Sequence, residues 1–343
     1  MNWLRGLDLN QGPSGYEPDE LPDCSTPRLI KTCYITIEIL SKCIVKNTLL
    51  ITGGAGFVGA NLIELFLKKT KLNIISYDNY STGSIHNHIK SSRVKYIKGN
   101  TKEIKKNINK YKNNIHTLFH FGEFSRIHQS FANIKDCFDS NISGTKSVLE
   151  FCLKNKIPII YSATSANLGN LGKDENLSPY AFTKANNLKL IVNLNKWFGL
   201  KYKIIYFYNV YGPRQVMNST MAAVIGIFEY YFKNKKFLPV VRPGTQKRRF
   251  THISDTVKAC YFAWKNKNSL HYSIAYYKSY SIIEIARMFS DKIKLISQRK
   301  GERKDLKLPN KFLNYKIIKL QGKINIKDYI QELKKKKNFF YNS

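Results

Sequence analysis

The sequence predicts an α/β fold, a doubly wound parallel sheet with a smaller mixed α/β section beside it. Three observations carry this. Short, apolar, β-rich segments alternate with amphipathic stretches from residue 47 to 209, a glycine-spaced turn joins the first segment to the stretch after it, and beyond Asn209 the alternation lapses. Strand and helix in alternation argue for parallel pairing, because each crossover helix covers one face of the sheet.

The candidate strands are TLLITG (48–53), NIISYD (73–78), VKYIKG (94–99), HTLFHFG (116–122), IPIIYSA (157–163) and KYKIIYFYN (201–209). The gaps read as helices, notably 57–68, 134–155 and 179–197. Farther on, 221–233 and 280–290 read as helices, with short strands at FLPVV and HYSIA. The stretch 252–265, HISDTVKACYFAWK, is a helix expected to return to the first section.

The 343 residues, 43% of them apolar, suffice to bury a full core. A formal charge of +34 raises nucleic acid as a partner. The lysines are instead scattered among Asn, Ile and Tyr, and the longest run is Lys334 to Lys337, so no nucleic-acid partner is expected. The positive field suits small anionic ligands. Six cysteines, at 24, 33, 43, 137, 152 and 260, have neither metal-ligand spacing nor the density of a disulfide framework, which fits a reducing cytoplasm. His86 and His88 read as solvated loop histidines with no third ligand near, and no metal is expected. No apolar run reaches the roughly 18 residues of a membrane span, so no membrane association is expected.

Residues 1–44 differ in character. LRGLDLNQGPSGYEPDELPDCSTPR carries four prolines, is rich in acids and has no strand or helix period. It resembles translated tRNA-gene sequence, and we expect it to be a spurious or disordered extension, with the native chain starting near Val45.

In LLITGGAGFVGANL, Gly53, Gly56 and Gly59 stand between a predicted strand and a predicted helix, the context that a dinucleotide fingerprint requires. Glycines let the backbone approach a pyrophosphate, and the helix N-terminus, with Phe57 and Val58, supplies N–H groups and positive potential. Asp78, followed by Asn79, ends the second strand 25 residues after Gly53, where an acid accepts hydrogen bonds from a ribose 2′-hydroxyl. A carboxylate there repels a 2′-phosphate, so the expected cofactor is NAD. Residues 45–210 with 250–268 would form this Rossmann domain, and 211–249 with 269–343 a substrate-binding lid.

SPYAFTK (178–184) places Tyr180 and Lys184 four apart. On a helix they share a face. A cation beside a phenol favours phenolate, which makes Tyr180 a candidate general base.

Together, G-x-x-G-x-x-G, YDN, YSATSA and YAFTK resemble the extended short-chain dehydrogenase/reductase family, in its nucleotide-sugar epimerase and dehydratase branch, over about Asn47 to Asp305. The resemblance implies that Tyr180 and Lys184 are the Y-x-x-x-K pair, that Thr164 is the Ser/Thr that bonds the sugar oxygen, and that Asn141 lies near the nicotinamide. It places Asn100 near adenine. It implies a lid in which Asn209 touches the diphosphate or sugar, Arg248 and Arg299 bind phosphate and Glu302 binds the nucleoside ribose. It also implies a homodimer through the helices around 134–155 and 179–197.

Some residues depart from that pattern. Asn100 and Arg249 replace common aspartates, Leu168 replaces a common Tyr, and Glu123 and Phe124 replace smaller or basic residues beside the cofactor. Dehydratases and decarboxylases of the family carry carboxylates just past the Thr, whereas Ser165, Ala166 and Asn167 follow it here. A 4-epimerase of a nucleotide sugar, with a UDP-sugar as expected substrate, needs no further acid. A 4-keto reductase or dehydratase of the same family is the alternative, and a non-enzymatic nucleotide-binding protein a third.

Overall fold

The computed structural model describes residues 46–165, 174–301, 311–312 and 315–339. The extension 1–44, residues 166–168 and Glu302 lie outside the described residues. The main sheet has eight parallel strands: β1 (Thr48–Thr52), β2 (Asn73–Asp78), β3 (Val94–Lys98), β4 (Ile115–His120), β5 (Ile159–Thr164), β6 (Tyr202–Phe207), β7 (His271–Tyr276) and β8 (Tyr315–Gly322). Their spatial order is β3-β2-β1-β4-β5-β6-β7-β8, with the two-residue strand Lys311–Phe312 antiparallel on the outer edge of β8. The helices are α1 (Phe57–Lys69), α2 (Thr145–Lys154), α3 (Pro179–Phe198), α4 (Val224–Lys233), α5 (Ile253–Lys265), α6 (Ile282–Phe289) and α7 (Ile326–Phe339), with shorter turns between.

Both faces of the sheet are buried, and the sequence shows why. In β1 all five residues are buried: Leu49 and Ile51 pack with Leu62, Ile63 and Phe66 of α1 and Val257 and Cys260 of α5. Leu50 joins the opposite core, with Val148 and Leu149 of α2 and Leu188 and Ile191 of α3. The period-2 alternation of a strand sends neighbours to opposite faces, so a wholly apolar run needs a helical layer on each. Burying each such side chain contributes roughly 1.5–3 kcal/mol.

A third core, built on Tyr211, Ile225, Phe228, Leu238, Phe250, Ile285, Phe289 and Ile330, belongs to the section after β6. Its strands are short pairs: Leu238–Val241 runs parallel to Ile293–Ile296, and Lys247–Arg249 antiparallel to Ser279–Ser281. A capping box fixes the start of α6, where Ser281 Oγ accepts from Glu284 N at 3.2 Å and the Glu284 carboxylate accepts from Ser281 N.

Two sequence expectations need correction. The segment 269–343 is not wholly a lid, because β7 pairs with β6, and β8 with β7, in the main sheet. Asp255 of α5 ties down the end of β8 by accepting from Lys323 N and Ile324 N at 2.8 and 2.9 Å. His88 is also not simply solvated: its ring stacks on Tyr96 at 3.7 Å, and its Nε2 lies 2.8 Å from the Tyr80 hydroxyl.

Candidate active site

The sheet reverses its order between β1 and β4, and a cleft of about 390 Å3 opens at the carboxyl ends of the strands there. A doubly wound sheet offers its ligand crevice at such a switch point. Gly53, Gly56, Phe57, Val58 and Gly59 line one end of the cleft, with Asp78 and Asn79 beside them. Gly53 has φ +71°, a left-handed conformation that a side chain disfavours. A Cβ on Gly59 would sit 2.2 Å from the Gly53 carbonyl oxygen, so loop and helix meet this closely only because residue 59 has no side chain. First-turn N–H groups of α1 have no intrahelical acceptor. A cradle of this shape fits a dinucleotide pyrophosphate.

Asp78 is held by its own loop, its Oδ2 accepting from Ala55 N at 2.9 Å and its Oδ1 from Tyr80 N at 2.8 Å. Burial pushes its carboxyl above the usual range, while backbone donors from Tyr80, Ala55 and Gly56 pull it back.

The other end of the cleft holds Thr164, the last residue of β5, with Tyr180 and Lys184 from α3. The local sequence forces this geometry. Ser178 caps α3 by accepting from Ala181 N at 3.1 Å, Pro179 occupies the first turn, and Gly199 closes the helix at φ +71°. Tyr180 and Lys184 therefore stand one turn apart. The Tyr180 hydroxyl has no hydrogen-bond partner among the described residues, although the residue is only 7% exposed.

Lys184 is not a lone cation. Its ammonium donates to Glu123 Oε2 and, at 2.5 Å, to the Ser162 carbonyl, and it lies 4.4 Å from the centroid of the Tyr161 ring. The Glu123 and Lys184 side chains are 2% and 5% exposed. Glu123 Oε1 accepts from Thr145 Oγ1 (2.9 Å), the Tyr161 hydroxyl (2.9 Å) and Asn187 Nδ2 (3.0 Å). Sequence reading treated Glu123 as a change in the sugar pocket; the structure makes it the ion-pair partner of Lys184.

The remaining expected residues divide. Asn209 lines the cleft and donates from Nδ2 to the Arg249 carbonyl at 2.8 Å. Asn141 does not line it: fully buried in a π-helical turn, Asp139–Gly144, it grips the Phe124 backbone, accepting from N at 2.7 Å and donating to O at 3.1 Å. Asn100 is also off the cleft, capping the turn Thr101–Glu103 and accepting the Tyr77 hydroxyl on its carbonyl at 2.7 Å. Arg248 is buried in the strand Lys247–Arg249, with Nη1 donating to its neighbour's carbonyl at 2.8 Å, and is not among the cleft-lining residues. Arg299 lies in the loop after Ile293–Ile296, outside the cleft lining. Arg126 was not foreseen. It lines the cleft half-buried, with Nε donating to the Met221 carbonyl at 2.5 Å. Its signal was the position of EFSRI, directly after β4 at the carboxyl edge of the sheet.

Residues 49–275 match the NAD dependent epimerase/dehydratase family. The chain belongs to that family. Its cofactor is accordingly NAD, in agreement with the glycine cradle and Asp78. An uncharacterised UDP-glucose epimerase of Bacillus subtilis is 30% identical over 61% of this chain and 70% of its own length. Among solved structures, UDP-glucose 4-epimerase of Thermotoga maritima with UDP-glucose superposes with a TM-score of 0.72 at 19% identity, covering 84% of this chain and 99% of that one. UDP-glucuronic acid 4-epimerase of Bacillus cereus, with UDP-glucuronic acid and NAD, gives 0.74 at 23%, covering 86% and 100%. Among the described residues no helix is long and apolar enough to cross a membrane, and no cluster of metal-ligating side chains is found.

Proposed function

We propose that this protein is an NAD-dependent nucleotide-sugar 4-epimerase, with a UDP-sugar as substrate. One observation carries the reading: Tyr180, whose hydroxyl has no hydrogen-bond partner among the described residues, lines the cleft, while both carboxylates among its described lining residues are engaged elsewhere. Asp78 is tied to backbone at the nucleotide end, and Glu123 is saturated by four donors. Elimination of water would need an acid and a base at the sugar. Residues 166–173, ANLGNLGK, add no carboxylate.

NAD, when bound in the glycine cradle, would supply a reversible acceptor for the hydride of the sugar carbon. Tyr180 takes the proton of the 4-hydroxyl and gives it back to the resulting ketone. Thr164 hydrogen-bonds that oxygen in both states, and Lys184 holds the cofactor ribose and supports the phenol. Asn209, which lines the cleft, is assigned to the nucleoside diphosphate, which stays anchored while the flat ketose turns over; Arg248, Arg299 and Glu302 are given that role by the family resemblance alone, since neither arginine is among the cleft-lining residues. Charge-assisted bonds to arginine suit that anchor. The reading extends to a cytoplasmic homodimer. Exposed Phe131, Ile134, Phe182 and Trp197, with Phe138 stacked on Phe182 at 6.1 Å, support pairing through these helices.

The test is a panel of UDP-sugars with chromatographic separation of the C4 epimers, using wild type and Tyr180→Phe. Interconversion without net consumption of NADH is expected, with a loss of about 10²–10⁴-fold in the variant. Stoichiometric NADH oxidation would assign a reductase instead. Undiminished turnover by Tyr180→Phe would remove the phenol from its role.

A further inference from the structure

We propose that Glu123 is a positioning residue, the counter-ion that keeps the buried Lys184 ammonium charged and aimed at the end of β5. The role given to Lys184 in turnover rests on the function proposed above; the ion pair itself does not.

A lysine whose side chain is 5% exposed has lost nearly all its hydration, and burial alone favours the neutral amine. Among the described residues Glu123 is the one carboxylate within ion-pair distance of it. The donors around Glu123 form an ordered series. The Thr145 hydroxyl has one hydrogen, which goes to Glu123 Oε1, so Thr145 Oγ1 must accept from His120 Nε2 at 2.9 Å. The His120 Nδ1 is then an acceptor for the Thr52 hydroxyl at 2.7 Å, and Thr52 Oγ1 in turn accepts from Phe121 N and Gly122 N at 3.2 Å. The tautomer follows from this network. Every proton in the series points toward Glu123, the arrangement a fixed negative charge requires.

The titratable groups facing the pair are His120 of β4, Tyr161 of β5, Cys137 of the turn Ile134–Phe138 and Tyr180 of α3. Burial holds the His120 imidazole down at about 4 and pushes the Cys137 thiol up to about 11. Burial, with the Glu123 charge second, drives the Tyr161 phenol well above its ordinary value. His120, Cys137 and Tyr161 therefore do not change charge between about pH 6 and pH 10, and placing Tyr180→Phe in the background of every variant leaves that window to Lys184 once its partner is removed.

The experiment compares melting temperatures of the Tyr180→Phe protein with those of Glu123→Gln, Lys184→Met and the double variant built on it, from pH 6 to pH 9.5. Glu123→Gln keeps the shape and removes the charge. It is expected to lose on the order of 5–10 °C near pH 6, since stripping one partner leaves a buried charge uncompensated. The deficit should shrink toward pH 9.5 as the unpaired ammonium sheds its proton in the folded state. The double variant should melt above Glu123→Gln, even where the single variant fails to fold. A deficit constant across this range, or a double variant that loses the sum of the single losses, would overturn the proposal and leave Glu123 an ordinary hydrogen-bonding residue. None of these readouts needs turnover, so an inactive wild type would count against the epimerase assignment alone. Where wild type is active, the alkaline limb of its kcat/KM profile should move to lower pH in Glu123→Gln with Tyr180 retained.

Discussion

Replacing Gly59 by alanine tests whether the close meeting of loop and helix serves the cofactor. The added methyl would stand 2.2 Å from the Gly53 carbonyl oxygen and 2.7 Å from Gly54 Cα. Both are backbone atoms, which cannot swing away as a flexible side chain would, so α1 and the glycine loop must separate by about 1 Å. Overpacking of this kind costs typically 1–3 kcal/mol. Part of that cost falls on the N–H groups that would meet the pyrophosphate, and 1.4 kcal/mol is a tenfold change in affinity. Calorimetric titration with NAD is therefore expected to show binding at least about tenfold weaker than wild type, alongside a lowered melting temperature. Gly199→Ala is the control. It too has φ +71°, but nothing lies within 4 Å of the site of its Cβ. The variant should lose about 1–2 kcal/mol of stability through left-handed backbone and bind NAD as before. Wild-type affinity in Gly59→Ala would refute the assignment of this loop.

Acid should destabilise the fold through two histidines. Burial depresses His120 and His271 to about 4 from an ordinary 6.5, so the unfolded chain binds more protons between those values. Stability is full above about pH 6.5 and falls by up to about 3 kcal/mol per histidine as pH drops to about 4. Urea midpoints at pH 7.5, 5.5 and 4.5 measure this, and a flat profile would contradict it. The aromatic cluster between α1 and α5 gives a second expectation. Phe66 meets Phe119, Tyr261 and Trp264 edge-on at 5.2–5.4 Å. Phe66→Ala should cost about 3–5 kcal/mol in urea unfolding, and a loss below 1 kcal/mol would show that the site collapses around the gap.

The parts of the fold that the sequence disclosed share a physical origin. Strands buried on both faces are short apolar runs, and β1, β2 and β4 to β6 could be read directly for that reason. The strand β8 could not, because only Ile317 and Gly322 of YKIIKLQG are buried and its exposed Lys316 and Lys319, three apart, fall on opposite faces, so it has neither an apolar run nor a period-2 stripe, as befits a strand near the sheet edge. Membership of β7 in the main sheet depends on its pairing with β6, 64 or more residues away, which local pattern does not encode. The site divides similarly. Gly53, Gly56 and Gly59 stand at spacings set by one turn, Tyr180 and Lys184 by one helix, and Asp78 by one strand–helix–strand unit. What Glu123 does is decided by Thr145, Tyr161, Lys184 and Asn187, from three separate elements, and only tertiary packing brings them to one carboxylate.

That convergence connects stability to the proposed chemistry. Thr52 ends β1, His120 ends β4, Thr145 opens α2 and Lys184 lies on α3, so the polar series crosses the switch point at which the cleft opens. A buried network is worth most when every member is satisfied, and half-satisfied it costs more than an apolar core. Protonating His120 would make Nδ1 a donor facing the Thr52 hydroxyl, forcing that hydroxyl to turn toward other acceptors. Glu123 would feel the added charge two hydrogen bonds away and Lys184 three. Acid is thus expected to loosen β1 from β4 at the cleft floor and to disturb the ion pair by the same protonation, which makes the crevice and its lysine one cooperative unit.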